Sequence, residues 1–236
     1  MWGLMLLRTY KTEHELAAAA GGMGKAVDEK TFRKWAWQFI DAIALLEPTT
    51  IKWKRRKKND RLNDALVSID GTDMHMQQLR PFWKGWYSFK FHGPGMRWEV
   101  AICILTGEIV WIHGPFPCGR WPDIEIFRHS LKSHLGRLEK GTTDDGYMGE
   151  PHKILCPRLS SKTRKDKEMR GIIRGRHETV NKRLKDWSCL AETCRHSILQ
   201  HSSMFRAVAV LTNLAFLAGE PLFQVDYRDE EFSLCL

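Results

Sequence analysis

The spacing of apolar residues changes period twice along this chain, and that limits the fold more than any other feature. Between residues 12 and 46 the spacing is helical. Thr12 and Glu15 form a capping box ahead of an alanine-rich stretch. After the turn Gly21 to Gly24, Asp28 is placed to cap a second helix carrying Phe32, Trp35, Phe39, Ile43 and Leu46, with Pro48 as its stop. From residue 65 the period shortens. Ala65 to Ile69 (ALVSI) reads as a buried strand ending at Asp70. Trp98 to Leu105 and Glu108 to His113 read as two strands joined at Thr106-Gly107, a hairpin signal. After the Gly/Pro-rich loop 114–122, Asp123 is expected to cap a helix with Ile126, Phe127, Leu131 and Leu135 on one face. Thr142 to Gly149 (TTDDGYMG) reads as a loop, or a very short strand and loop, and His152 to Cys156 as a further strand. From Lys165 to Ala218 the helical period returns, as two helices with a break near Ser202. This order predicts an α/β fold with a mixed sheet and helices on its faces. The ribonuclease H-like arrangement is one solution.

Charge narrows the partners. The 236 residues carry a formal net charge of +9, and residues 220–236 form an acidic tail, so the excess elsewhere is larger still. Segment 153–187 holds twelve Lys and Arg, and Lys52 to Lys58 (KWKRRKK) holds six in seven. A basic balance of this kind makes a polyanion the first expected partner. The second cluster reads equally as a solvated linker, a phosphate-binding arm or a nuclear import signal. The last would place the protein in the nucleus of a eukaryote, and otherwise in the cytoplasm. No apolar run is long enough to span a bilayer, and the first residues do not resemble a secretion signal. No membrane and no small-molecule substrate is therefore expected. Six scattered cysteines without a CxxC read as reduced thiols. Cys189, Cys194, His196 and His201 depart from zinc-finger spacing and lie in a helical stretch, so no zinc site is expected.

Three acidic residues stand apart from the surface charges. Asp70 ends an apolar run beside Gly71. Asp144 sits in DDGY. Glu178 sits alone on a basic helix, in RGRHETVNKRLK, where it is also a plain ion-pair partner for Arg174 or Lys182. Together they suit phosphodiester chemistry by two metals, in which carboxylates from separate elements hold a pair of hard cations. Lysines and arginines around them would hold DNA phosphates. Other candidates have ordinary readings beside the functional ones: Asp145 as a substitute for Asp144, Asp123 as a metal ligand or more simply a helix cap, Asp73 on a loop, and His177 at a phosphate or metal or more simply a surface histidine. Trp83, Trp86, Tyr87, Trp98, Trp111 and Trp121 read as packing residues or as stacking platforms for unpaired bases.

From about Asp70 to Gly219 the sequence resembles DDE transposases of the insertion-sequence and Harbinger type. SIDGTD (68–73) resembles the strand of the first aspartate. GPFPCGRWPDIEIF (114–127) resembles a loop with a glycine shortly before an aspartate, here Asp123. TTDDGYMG resembles the second-aspartate motif and places that residue at Asp144. In RGRHETVNKRLK, Arg174, Glu178 and Lys185 fit the third-acid signature of Arg, three residues, Glu, six residues, Lys. Its tyrosine position is occupied by Gly171. Arg174, Glu178, Asn181 and Lys185 share one helical face. The resemblance implies a ribonuclease H-like domain over residues 64–219 that cleaves and joins DNA at transposon ends. It implies Asp70, Asp144 and Glu178 as ligands of two Mg²⁺ or Mn²⁺ ions, and Arg174, Lys182 and Lys185 on DNA. It also implies assembly on two DNA ends as a homo-oligomer. Residues 1–49 form a helical segment compatible with a helix-turn-helix or with a hairpin packed on the main domain. Residues 50–63 form a basic linker, where Lys54, Arg55, Arg56, Lys57 and Lys58 are further DNA-binding candidates. The alternative function is a catalytically silent, truncated or domesticated DNA-binding protein.

Overall fold

The computed structural model describes residues 1–22, 25–56, 65–160, 163–220 and 222. Four helices come first: α1 (Trp2–Thr9), α2 (Glu13–Ala20), α3 (Glu29–Ala44) and the single turn α4 (Glu47–Thr50). The two expected caps are present. Thr12 accepts from the Glu15 amide in a full capping box, and Asp28 accepts from the Thr31 amide. The apolar stripe of α3 is offset from the expected one: Phe32, Ala36, Ile40 and Ile43 are buried, while Trp35, Phe39 and Leu46 are exposed. The helix ends at Ala44, before Pro48, which sits in the first turn of α4.

The sheet comprises β1 (Ala65–His75), β2 (Tyr87–Ser88), β3 (Gly93–Cys103), β4 (Ile109–Pro117), β5 (Lys140–Thr142) and β6 (Ile154–Leu155). β3 pairs antiparallel with β1 on one side, and with β4 and the short β2 on the other. β5 and β6 continue the sheet in parallel from β1. The order β4-β3-β1-β5-β6 and the antiparallel-then-parallel senses are those of a ribonuclease H-like fold. The hairpin turns where expected, with Gly107 at φ 76°, a conformation glycine adopts without steric cost. Between β4 and β5 lie α5 (Asp123–His129) and α6 (Leu131–His134). After β6 come α7 (Pro157–Ser160), α8 (Arg164–Lys185), α9 (Ser188–Ala191) and α10 (Ile198–Leu217). The break in the last helical stretch falls between Lys185 and Ile198, and Ser202 lies inside α10. Among the described residues no helix is long and apolar enough to cross a membrane.

Alternation along the strands separates two apolar layers. Val67 and Ile69 of β1, with Ala101 and Cys103 of β3, pack against Phe127, Leu131 and Tyr147. Met74, Met96, Trp98, Val100 and Ile102 face the other way, against α1, α3, α8, α9 and α10. Helices α1, α2 and α3 therefore share a core with the sheet. Trp98 is fully buried there and stacks on Phe205 of α10, with ring centroids 4.1 Å apart and planes 6° from parallel. An offset stack of this kind adds about 0.5–1.5 kcal/mol to the area buried.

His201 lies one turn earlier on α10, against the same tryptophan, and neither of its ring nitrogens has a hydrogen-bond partner. Burial pushes its pKa down to about 4. The unfolded chain therefore binds a proton from about pH 6.5 downward that the folded chain refuses until about pH 4. Stability contributed by the neutral ring is present above pH 6.5 and lost as pH falls through that window, by about 3 kcal/mol in all. His201→Leu is expected to flatten this acid limb and to raise the thermal midpoint at neutral pH, because two orphaned polar atoms leave the core. Urea denaturation at pH 7, 5.5 and 4.5 measures both. A variant as acid-sensitive as the parent would show that the ring is solvated.

Candidate functional site

β1 outruns its parallel neighbour. The last β1–β5 pair is Ser68 with Thr142, whereas β1 continues to His75 alongside β3. Asp70 was expected at the end of its strand. It lies inside a longer one, but past the end of β5, so the edge beside it is open. Ser68 and Asp70 point toward α8. Ser68 Oγ lies 3.0 Å from His177 Nδ1, and the Asn181 amide Nδ2 donates to Asp70 Oδ2 at 3.0 Å. The match is geometric: four residues of helix rise about 6 Å and two of strand about 6.6 Å, so both pairs meet without strain. His177 is consequently buried, not on the surface as expected.

The other face of β1 brings a fourth acid. Gly71 has no side chain because Asp123 occupies the space: a Cβ there would lie 2.0 Å from Asp123 Oδ1. Asp123 was expected to cap α5. It is the helix's first residue, makes no side-chain cap, and lies 3.3 Å from Arg97 Nη1. Arg97 also grips Asp73, with Nε at 2.6 Å and Nη2 at 3.0 Å, and Asp73 lies within the strand instead of on a loop. Burial, then Asp144, then Asp123 push the Asp70 carboxyl up to about 7. Asp123 is pushed up to about 6, its burial outweighing the help of Arg97. Nearby Glu99, with no exposed surface, is pushed up to about 8 by burial and accepts from Trp111 Nε1 at 3.2 Å. Carboxyls crowded in this way favour keeping protons that isolated ones would release.

Asp144 and Asp145 separate cleanly. Asp145 accepts from the Arg158 amide at 3.2 Å and pairs with its guanidinium at 3.4 Å. Asp144 accepts from the Gly146 amide and lines the cleft. That cleft, of about 300 Å³, is bordered by Asp70, Asp144, Arg174, His177 and Glu178. Glu178 stands at its rim with its side chain 60% exposed, paired to Arg174 at 2.9 Å. Among the described residues no three of Asp, Glu, His or Cys close to metal-binding distance.

The basic candidates behave differently from one another. Arg174 and Lys182 are exposed. Lys185 is half-buried, its pKa pushed down by burial and by Lys90. Lys54 is exposed, and Arg55 donates to the Thr50 carbonyl. Arg56 is engaged within the fold: it is bidentate to the buried Glu139 and lies over the Trp53 ring at 4.3 Å. Lys57, Lys58 and nearly all of the acidic tail lie outside the described residues.

The family model of DDE superfamily endonucleases matches residues 69–213. That is more than half the chain, from the strand of Asp70 through most of α10. The chain belongs to the DDE superfamily of endonucleases. No curated protein and no solved structure matches it. Membership in this superfamily makes the cleft beside Asp70, Asp144 and Glu178 the place to look for nuclease chemistry. Sequence reasoning weighed Asp123 mainly as a helix cap and missed Arg97 beside it. The signal was Gly71: a glycine next to a strand acid marks a close approach by something else.

Proposed function

We infer that this endonuclease cleaves DNA at transposon ends by a metal-dependent mechanism and joins the freed 3′-hydroxyl to target DNA. The observation that carries the reading is the shared cleft: Asp70 from β1, Asp144 after β5 and Glu178 from α8 line one opening. The donor set suits Mg²⁺ or Mn²⁺, since it is built of hard carboxylate oxygens. An orphaned acceptor supports the same fit: Asn181 Oδ1, on the amide that donates to Asp70, is buried without a partner. Asp70, Asp144 and Glu178 would hold the ions. When bound, two such ions would activate the attacking water or hydroxyl and stabilise the leaving oxyanion.

The side chains divide the remaining work. Asn181 holds the Asp70 carboxylate in one orientation. Lys182 and Lys185 follow Glu178 on α8 and would hold the phosphates on either side of the cut. Arg174 has two anionic partners to choose between. Its pair with Glu178 is exposed, worth about 0–1 kcal/mol. A DNA phosphate therefore draws Arg174 away at small cost and frees Glu178 to turn into the cleft. A homo-oligomer on two DNA ends and a nuclear location in a eukaryote complete the reading.

The second reading, a silent DNA-binding derivative, is favoured by the same Arg174–Glu178 pair, because it occupies the third acid at the rim of the cleft. The weakness of an exposed pair favours the first. The test is metal-dependent cleavage of DNA carrying the terminal repeats that flank the gene. Asp144→Asn is expected to be inactive. Asp145→Asn is expected to cut normally and to lose about 1 kcal/mol or less of stability with its ion pair to Arg158. Equal loss in both would remove Asp144 from its role, and no cutting by the parent protein would leave the silent reading.

A further inference from the structure

The aromatic residues around the sheet divide into two groups. Trp98 is core. Trp111 packs on Trp53 and His134, and Trp121 on Phe116 and His129. By contrast Phe82, Trp83 and Phe89, on the segment joining β1 to β3, are 40%, 46% and 81% exposed. Trp83 meets Trp86 and Phe89 meets Tyr87 only edge to face, with ring centroids 6.4 Å and 5.3 Å apart, so all three rings keep apolar surface in water. The segment is also cationic without relief. Between Asp73 and Glu99 the chain carries Arg80, Lys84, Lys90 and Arg97 and no acidic residue. Arg80, Lys84 and Lys90 are exposed, and Arg120 lies over the Trp83 ring at 5.8 Å.

Lys185 links this surface to the carboxylate cleft, since it feels both Lys90 and Asp70. A depression of about 330 Å³ lined by Gly71, Asp73, Ser88, Phe89, Lys90 and Pro122 opens on the other face of β1, at the residue next in sequence to Asp70. Its one acid, Asp73, is neutralised by Arg97. A paired duplex offers phosphates but hides its base faces, so cations alone would serve it. Exposed rings among cations fit a strand whose bases are unstacked.

We propose that residues 79–92, with Arg120, form a rim that binds an unpaired DNA strand beside the cleft. Trp83 and Phe89 stack on its bases, and Lys84 and Lys90 hold its phosphates. The proposal rests on the reading of the cleft as a DNA-cleaving site, and names the strand state that this site receives.

The test uses the full chain without divalent metal. The probe is a single strand of about 12 nucleotides carrying 2-aminopurine, compared with the same strand in a duplex. Stacking on a ring quenches the probe. In the Trp83→Ala/Phe89→Ala variant the quenching is expected to vanish and single-strand affinity to fall at least about fivefold. Duplex affinity and the thermal midpoint are expected to hold, since both rings are exposed. Lys90→Ala is expected to weaken both probes and to lower the salt slope by about one. Equal loss on both probes, no loss on either, or an altered oligomeric state in the double variant would overturn the rim. The two readings fail separately. Quenching by a parent protein that cuts no DNA with metal present leaves the rim standing and removes the nuclease. Cutting by a parent protein that never quenches the probe removes the rim alone.

Discussion

Asp70→Asn is expected to lower metal-dependent DNA cleavage by about a thousandfold or more, while making the metal-free protein more stable above neutral pH. The first effect follows from losing a ligand whose metal is worth several kcal/mol in the transition state, at about 1.4 kcal/mol per tenfold in rate. The second follows from the electrostatics of the site without metal. Burial and the neighbouring Asp144 and Asp123 push the Asp70 carboxyl up to about 7. The unfolded chain releases this proton near pH 4, whereas the folded chain keeps it until about pH 7. The folded state thus binds more protons in that window, and its stability falls as pH rises through it. Asparagine keeps an acceptor for Asn181 and carries no charge. A gain of about 2–4 kcal/mol at pH 8 is expected in urea denaturation. Equal stability of the two proteins at pH 8 would show that Asp70 is solvated and not held against other carboxylates. A cleft that costs stability when empty is what a cation site built of acids requires.

The same electrostatics explain which parts of this site could be read from the sequence. Asp70, Asp144 and Glu178 sit in recognisable local patterns: an apolar run before an acid, an acid two residues before a glycine, and a helical face of Arg, Glu, Asn and Lys. The hairpin was equally clear, because its period-2 runs flank a Thr-Gly turn. β5 was not. Its residues are Lys140, Gly141 and Thr142, with none of the apolar character of a central strand. Gly141 is bare because Ile69 fills the space: a Cβ there would lie 2.3 Å from Ile69 Cδ1. The strand's apolar partner thus comes from β1, out of reach of any local pattern. The face of α3 was misjudged for a related reason. Small Ala36 lies inside and large Trp35 outside because other helices decide which stripe has room. The helix break near Ile198 did carry a local signal, the Ser197–Gln200 capping box, which the continuous helical period obscured.

Arg97 was invisible to sequence reasoning because its significance lies wholly in what the sheet places beside it, and its removal is the most damaging single change expected of a charged residue here. Its guanidinium is bidentate to Asp73, whose side chain is 4% exposed, and reaches Asp123 at 3.3 Å. These partners hold the guanidinium protonated against its own burial, and the guanidinium in turn, with the Ser88 hydroxyl, outweighs burial and holds the Asp73 carboxyl below the usual carboxylate range. Arg97→Met keeps much of the side-chain volume but leaves both carboxylates without a cation. Breaking a buried pair from one side costs about 3–5 kcal/mol, a large share of the 5–15 kcal/mol that holds a domain of this kind together. The loss is expected to grow as pH rises from 5 to 8, since protonation relieves abandoned carboxylates and ionisation does not. Asp73→Asn placed on Arg97→Met is expected to restore about half the loss, because one uncompensated charge is then gone and the Ser88 hydroxyl keeps an acceptor. Asp123 would remain unpaired beside Gly71 and Asp70, so the doubly substituted protein is expected to fold yet cut DNA poorly. Thermal denaturation at pH 5 and pH 8, with cleavage measured on the same preparations, separates the two effects. Full recovery of cutting would mean that Arg97 acts on stability alone. Continued failure of cutting in a folded protein would assign it, through Asp123, to the shape of the carboxylate cleft.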